Sequence, residues 1–446
     1  MIHMTADSRV RAPRRFPQPA ALRRLGSLAL ALALTAALGA LHETAAQSLS
    51  LGGADGTFFI RGGTVIPTGG QRLEGAGILI RDGRIAAVGR DIQAPADAIV
   101  IDATGKYVYP GMINSNTGLG LSEISAVEVT VDLREAGDFN PHIRALNAVN
   151  PHTQMIPITR VNGVTAAITR PTGGIISGQA ALLQLDGWTA QAMALRPYAA
   201  LIMNVPGGGG RGPRGGAARR PPDLQEVYDY FAAAREYHRV RAGGAGPVDL
   251  GFEALGPVLE GEVPVIINAN GREQIETALG MAEELGIRIV IVGGRGSYHL
   301  ADRLAEGEIP VILGSLQSTV GADDPYDAIY AEPGVLYRAG VKLAFSTGDV
   351  ANARHVAHHA ALAMAYGLPE DAALNALTIW PAQIWGVDGE IGSLEVGKSA
   401  DLFVSTGSPM DARSQVAHVF IAGRQIPFDD YHTALFEKFK TRPLDR

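Results

Sequence analysis

Three histidines, His355, His358 and His359, stand in the run Arg354-His-Val-Ala-His-His359, a few residues after Asp349. On a helix, residue 355 shares a face with 358 and 359, so two imidazoles could meet one divalent ion. A solvated or partly packed helix face is the alternative. His299 follows a strand-like run ending at Gly294 and could reach the same end of a sheet, or remain an ordinary surface side chain. Glu123, Glu128, Asp132 and Glu135 are spaced closely enough to form either a site for a hard cation such as Ca2+ or Mg2+, or a charged loop. There is no cysteine, so disulfides and thiolate ligands are excluded, and a metal would have to use His, Asp, Glu or water. Two glycine-rich runs complete the set. Thr169 to Gly178 directly follows a strand, and its backbone N–H groups could hold an anion or simply make a turn. Residues 206–222, rich in Gly, Arg and Pro, read as a flexible basic surface loop, because a phosphate-cradling loop needs a strand before it and a helix after it.

Positioning such groups requires a scaffold, and the chain supplies two kinds of pattern. Phe58 to Asp102 reads as short strands broken by glycine turns, with Asp82-Gly83 as a hairpin signal between Ala76–Ile80 and Arg84–Gly89. From about residue 112 onward, strand-like runs alternate with helical periods, as parallel βα units require. Asn162–Thr169, Pro264–Asn270, Arg288–Gly294, Pro310–Gly314 and Val341–Asp349 are the strand candidates. Arg272 to Leu285 is an amphipathic helix with Ile275, Leu279, Ala282 and Leu285 on one face. Ala353 to Tyr366 and Pro369 to Leu377 also read as helices, the second with Glu370 and Asp371 in its first turn.

Tyr109-Pro-Gly-Met-Ile-Asn-Ser-Asn-Thr-Gly-Leu119 is the junction between the two patterns. Its segment Ile113 to Gly118 resembles the Ile-Asp-x-His-x-His that opens barrels of the amidohydrolase superfamily. Gly389 to Val404 resembles the GSLExGKxADLxV signature of that superfamily, and Val416 to Arg424 its VxxVxxxGR strand pair. The chain resembles an imidazolonepropionase-like, secreted subgroup with a degenerate metal-ligand motif. The resemblance implies an α/β fold: a (β/α)8 TIM-like barrel over 112–388, inserted in a small β-sandwich built from both chain ends, 57–111 plus 389–428. It implies a hydrolase of carbon–nitrogen bonds in non-peptide or cyclic amides, using a divalent metal such as Zn. Asp349 matches the superfamily's final aspartate and is the expected catalytic residue. Asn116, Gly118, Asn268 and Val292-Gly293-Gly294 stand where four histidines are expected, so most metal ligands are replaced. Asn116, Asn268 and Asn270 are then expected to shape the pocket. Asp349, His355, His358 and His299 remain the candidates for any ion. The other reading is an inactive barrel that binds a small molecule or a partner protein.

Residues 1–46 resemble a secretory signal: six arginines between Arg9 and Arg24, an apolar run from Leu25 to Leu41, and Thr44-Ala-Ala46 before Gln47. An exported chain, periplasmic or extracellular, is expected, with no stable membrane insertion once the signal is removed. Removing the segment takes away six arginines and two acids, which moves the formal charge from −7 to −11. An acidic chain without a basic stripe excludes nucleic acid as a partner. A small-molecule substrate or ligand is expected, with homo- or hetero-oligomers both open.

Overall fold

The computed structural model describes residues 52–205, 224–244, 246–320 and 324–442. The expected signal segment and the 206–222 loop lie outside the described residues.

The opening strands are β1 (Phe58–Val65), β2 (Leu73–Arg81), β3 (Arg84–Gly89), β4 (Ile99–Asp102) and β5 (Tyr107–Pro110). Asp82 and Gly83 both adopt positive φ, 50° and 77°, as a tight two-residue hairpin between β2 and β3 demands. The chain then builds the barrel strands: β6 (Met112–Thr117), β7 (Val164–Thr169), β8 (Ile176–Gln184), β9 (Ala194–Asn204), β10 (Val265–Ala269), β11 (Ile289–Gly293), β12 (Val311–Leu313) and β13 (Leu343–Phe345). It returns with β14 (Leu402–Ser405), β15 (Val416–Ile421) and β16 (Arg424–Gln425).

Both chain ends share one sheet, in the order β16-β15-β14-β5-β1-β2-β3, with β4 paired to β1. The seam is the antiparallel pair β14 and β5, where Leu402 lies opposite Pro110 and Val404 opposite Val108. This sheet folds around its own apolar core, including Phe58, Ile78, Val108, Leu402 and Phe420. The expected composite of both termini is therefore a single eight-stranded sheet.

The second sheet is an α/β barrel of eight strands, β6 to β13 in sequence order. Seven of the strands run parallel to one another, but β8 departs from the pattern. β8 pairs antiparallel with β7 and with β9, so one strand of the eight runs against the rest. Side chains at alternate positions pack inside, among them Ile113, Ile168, Ile202, Ile266, Val292 and Ala344. Trp385, Val387 and Ile391 join that cluster and fill its interior. The other face of the strands packs against the surrounding helices. The first and last strands meet through Asn114, whose Nδ2 donates to Thr347 Oγ1 at 3.0 Å and to the Ala353 carbonyl at 3.0 Å. The Gly348 N–H donates to the Asn116 carbonyl at 3.2 Å beside it.

The helix expected over 272–285 is found at Arg272–Leu285, ended by Gly286 in the left-handed region at φ 57°. The helix expected over 353–366 begins as a 3-10 turn, Ala353–His355, and continues as Val356–Ala365. Among the described residues no helix is long and apolar enough to cross a membrane.

Candidate functional site

In barrels of this kind the C-terminal strand ends carry the chemistry. Strand alternation decides what stands there. Ile168, Ile202 and Ile266 point into the barrel, so Arg170, Asn204 and Asn268, two residues further on, are set towards its mouth. Asn268 Nδ2 donates to Asn204 Oδ1 at 2.7 Å, and Asn204 Nδ2 donates to the Gly174 carbonyl at 2.9 Å and to Ser177 Oγ at 3.2 Å. Asn116 is buried, and its Oδ1 accepts a hydrogen bond from Arg170 Nε. Asn270 lies one step outside this group: it is exposed, and its backbone N–H donates to Gln274 Oε1 at 2.9 Å.

Asp349 reaches the same rim from the last strand, next in the chain to the Gly348 N–H that bonds to Asn116. It is exposed, with Oδ1 accepting the Asn352 N–H at 2.7 Å and Oδ2 accepting Asn352 Nδ2 at 3.0 Å. The structure thus ties the backbone of Asn116 to Gly348, one residue before Asp349, and places Asn268 in a separate amide chain with Asn204.

The histidines divide between different tasks. His355 and His358 stack at 5.0 Å between ring centroids, and His355 Nε2 accepts from Arg354 Nε at 2.8 Å. Burial, followed by the neighbouring Arg354 and His358, lowers the pKa of His355. His359 turns into the protein instead: it is 3% exposed and its Nδ1 accepts the Leu316 N–H at 3.3 Å. Burial first, then His358, draws its pKa down to about 4, which keeps the ring neutral. His299 lies on a 3-10 turn, 3.5 Å from Asp324 and tilted over the Tyr298 ring. Among the described residues no group of three or more His, Asp or Glu side chains converges closely enough to hold a metal ion. Of the acidic stretch, Glu123 accepts from Asn150 Nδ2 at 3.2 Å.

The glycines at two expected ligand places are there for backbone reasons. Gly293 and Gly294 both have positive φ, 95° and 66°. A Cβ at Gly293 would come within 2.7 Å of the Asn270 amide, and one at Gly294 within 2.6 Å of Val311. At Gly118, Leu133 Cδ2 stands 2.8 Å from where a Cβ would be.

Periodicity and motif spacing missed two groups. Arg170 is largely buried beside Asn116, and burial lowers its pKa to about 10. Glu332 sits inside the helix Ala328–Arg338 at 1% exposure; Ser297 Oγ at 2.9 Å and the Tyr298 N–H at 3.1 Å donate to its Oε1. Burial raises its pKa to about 7, against the opposing pull of these hydrogen bonds. It borders a cavity of about 180 Å³ lined also by Asn270, Arg295, Ser315 and Leu316. The only sequence signal for Glu332 was an acid on the inward face of a helix, and none marked Arg170. A second cavity, of about 1100 Å³, opens at the opposite barrel face among Pro264, Arg288, Pro310 and Lys342.

In the loop after β7, three backbone N–H groups are engaged within the protein. Its Thr172 N–H donates to the Leu133 carbonyl at 2.6 Å, and the Ile175 and Ile176 N–H groups both donate to the Asp138 carbonyl at 2.8 Å.

Comparison with known proteins agrees with this architecture. The Amidohydrolase family profile matches residues 327–426. The amidohydrolase tasK of Hapsidospora irregularis is 26% identical over 392 residues, which is 79% of this chain and 40% of that protein. This chain thus spans well under half the length of that relative. A dihydroorotase of Geotalea daltonii is 32% identical over 128 residues, 27% of this chain and 30% of the relative. The crystal structure of an amidohydrolase from Thermotoga maritima MSB8 superimposes with a TM-score of 0.76 at 28% identity, over 83% of this chain and 99% of that one. In barrel, two-ended sheet and family profile alike, this chain is similar to proteins of the amidohydrolase superfamily.

Proposed function

We propose that the chain is an exported hydrolase that cleaves a carbon–nitrogen bond of a small non-peptide or cyclic amide at the barrel mouth. The observation that carries this reading is the place of Asp349 after the last barrel strand, in the turn that the Gly348 N–H to Asn116 carbonyl bond ties to the first strand. Asp349 keeps spare lone pairs beyond its two bonds to Asn352. It can therefore accept a proton from a water attacking the carbonyl carbon. The carbon–nitrogen bond then breaks, the amine leaves with a proton, and a carboxylate remains. The leader pattern in residues 1–46 supports export.

The superfamily's metal is not fitted by the residues at its expected places. Neutral amides at Asn116 and Asn268 are poor ligands for a transition ion, and glycine contributes no side-chain donor. Arg170 adds a fixed positive charge beside Asn116, where a cation would be repelled. The same substitutions favour a second reading, a barrel that binds its small molecule without turnover.

Elemental analysis of the purified chain, paired with turnover assays on linear and cyclic amides, separates these. Turnover with metal well below one equivalent, lost by about a hundredfold or more in Asp349→Asn, is the expected result. Stoichiometric zinc with Asp349-dependent turnover would sink the metal-free mechanism. Absence of turnover from every amide, with ligand binding intact, would leave the binding protein.

A further inference from the structure

We propose that Arg170 is the anchor for a carboxylate carried by the substrate. The inference rests on the barrel mouth being the substrate site, and it narrows the substrate to an acidic amide, such as an N-acyl amino acid or a cyclic amide bearing a carboxylate.

Elsewhere in the fold a buried arginine is given a carboxylate partner. Arg160, 2% exposed at its side chain, is paired with the fully buried Asp186 at 2.7 Å, as the cost of burying charge requires. Arg170 is largely buried, yet no carboxylate pairs with it among the described residues; its two side-chain bonds go to neutral oxygens. Burial alone accounts for the fall in its pKa, with no neighbouring charge acting on it.

Those two bonds also fix its direction. Nε is held by Asn116 Oδ1, and Nη1 makes a long contact of 3.4 Å with the Pro171 carbonyl. The backbone is pinned as well, because the Arg170 N–H donates to the Thr117 carbonyl at 3.2 Å. Nη2 has no hydrogen-bond partner among the described residues. The Nη1–Nη2 edge therefore remains available, and it suits two carboxylate oxygens side by side. A structural arginine that only buttressed its loop would not need a charge here, since a neutral donor could satisfy Asn116 and Pro171. The position matters too: Arg170 lies beside Asn116, whose carbonyl accepts from the Gly348 N–H one residue before Asp349, so a carboxylate held there would set its amide towards the strand end that carries the proposed base.

The test is calorimetric titration of the purified chain with N-acetylglycine and with its neutral analogue N-acetylglycinamide. The wild type should bind the acid on the order of ten- to a hundredfold tighter than the amide. Arg170→Met should erase that difference while leaving amide binding within about twofold. Arg170→Lys keeps the charge and loses the fork, so it should retain part of the preference; it serves as the readout if circular dichroism shows the Met variant unfolded. Equal affinity for acid and amide in the wild type, including no binding of either, would overturn the proposal. A preference that survives in Arg170→Met would do the same. Inorganic phosphate that binds as tightly as N-acetylglycine would make this a general oxyanion site and overturn the carboxylate assignment. Turnover is not read here, so a failed hydrolase reading and a failed anchor give different results.

Discussion

Replacing Glu332 with Gln should make the protein more stable above neutrality and leave it unchanged in acid. The carboxyl is 1% exposed, and burial raises its pKa from 4.5 to about 7. The folded state therefore holds a proton that the unfolded state releases between those two values. Wherever the folded state binds more protons, stability falls as pH rises, so the loss runs from about pH 4.5 to about pH 7 and is constant beyond. The size follows from the two pKa values: roughly 3 kcal/mol once the group is fully ionised. Glutamine has the same shape, carries no charge, and keeps an oxygen to accept from Ser297 Oγ and the Tyr298 N–H. Urea denaturation of wild type and Glu332→Gln at pH 4.5, 6 and 8 gives the comparison directly. The variant should match wild type at pH 4.5 and exceed it by roughly 2–3 kcal/mol at pH 8. A difference that stayed constant across the three pH values, or a variant weaker than wild type at pH 8, would refute the reasoning. Taking the difference between the proteins is essential, because other buried groups titrate in the same range.

His359 is one of those groups, and it acts with the opposite sign. Its folded pKa, about 4, lies below the ordinary 6.5, so its contribution is complete above pH 6.5 and is lost as pH falls towards 4. His359→Gln should flatten that acid limb in the same urea experiment, at a constant cost of about 1 kcal/mol for the weakened bond to the Leu316 N–H; an unchanged acid slope would count against a neutral buried imidazole. Asp186 joins three separate parts of the chain, accepting from Arg160, Arg424 and the Gly53 N–H. Asp186→Asn removes the charge that compensates a buried arginine and should cost about 3–5 kcal/mol, read as a lower urea midpoint. A midpoint within experimental error of wild type would mean that water or another group compensates Arg160.

Local patterns carried most of the architecture. The apolar stripe Ile275, Leu279, Ala282 and Leu285, closed by Gly286, determined its helix to the residue, because a 3.6-residue period and a left-handed cap are properties of the segment itself. Asp82-Gly83 determined its hairpin for the same reason. The two signatures at the ends of the chain located one shared sheet long before β5 and β14 could be seen to pair. Strand direction was not legible in this way. Ile176 to Ser177 read as the end of a glycine-rich loop, whereas they begin β8, which is buried on both faces and so shows no alternation to register it. Which neighbour a strand pairs with, and in which direction, depends on contacts far away in sequence.

The site divides along the same line. Asn116, Asn268 and Asp349 were readable because they occupy numbered places in a strand motif. That the Asn116 carbonyl meets the Gly348 N–H while Asn268 bonds to Asn204 was decided by barrel closure. Arg170 carried no local signal and Glu332 only its place on the inward face of a helix, since an arginine after a strand and a glutamate in a helix are ordinarily solvated. Their burial, and the chemistry that burial confers, comes from segments the sequence places elsewhere: β6 around Arg170, and the turn Ser297–Leu300 around Glu332. Residue type and spacing determined the elements and their order; desolvation is a property of the packed whole, so only the tertiary structure decided which charges were taken out of water.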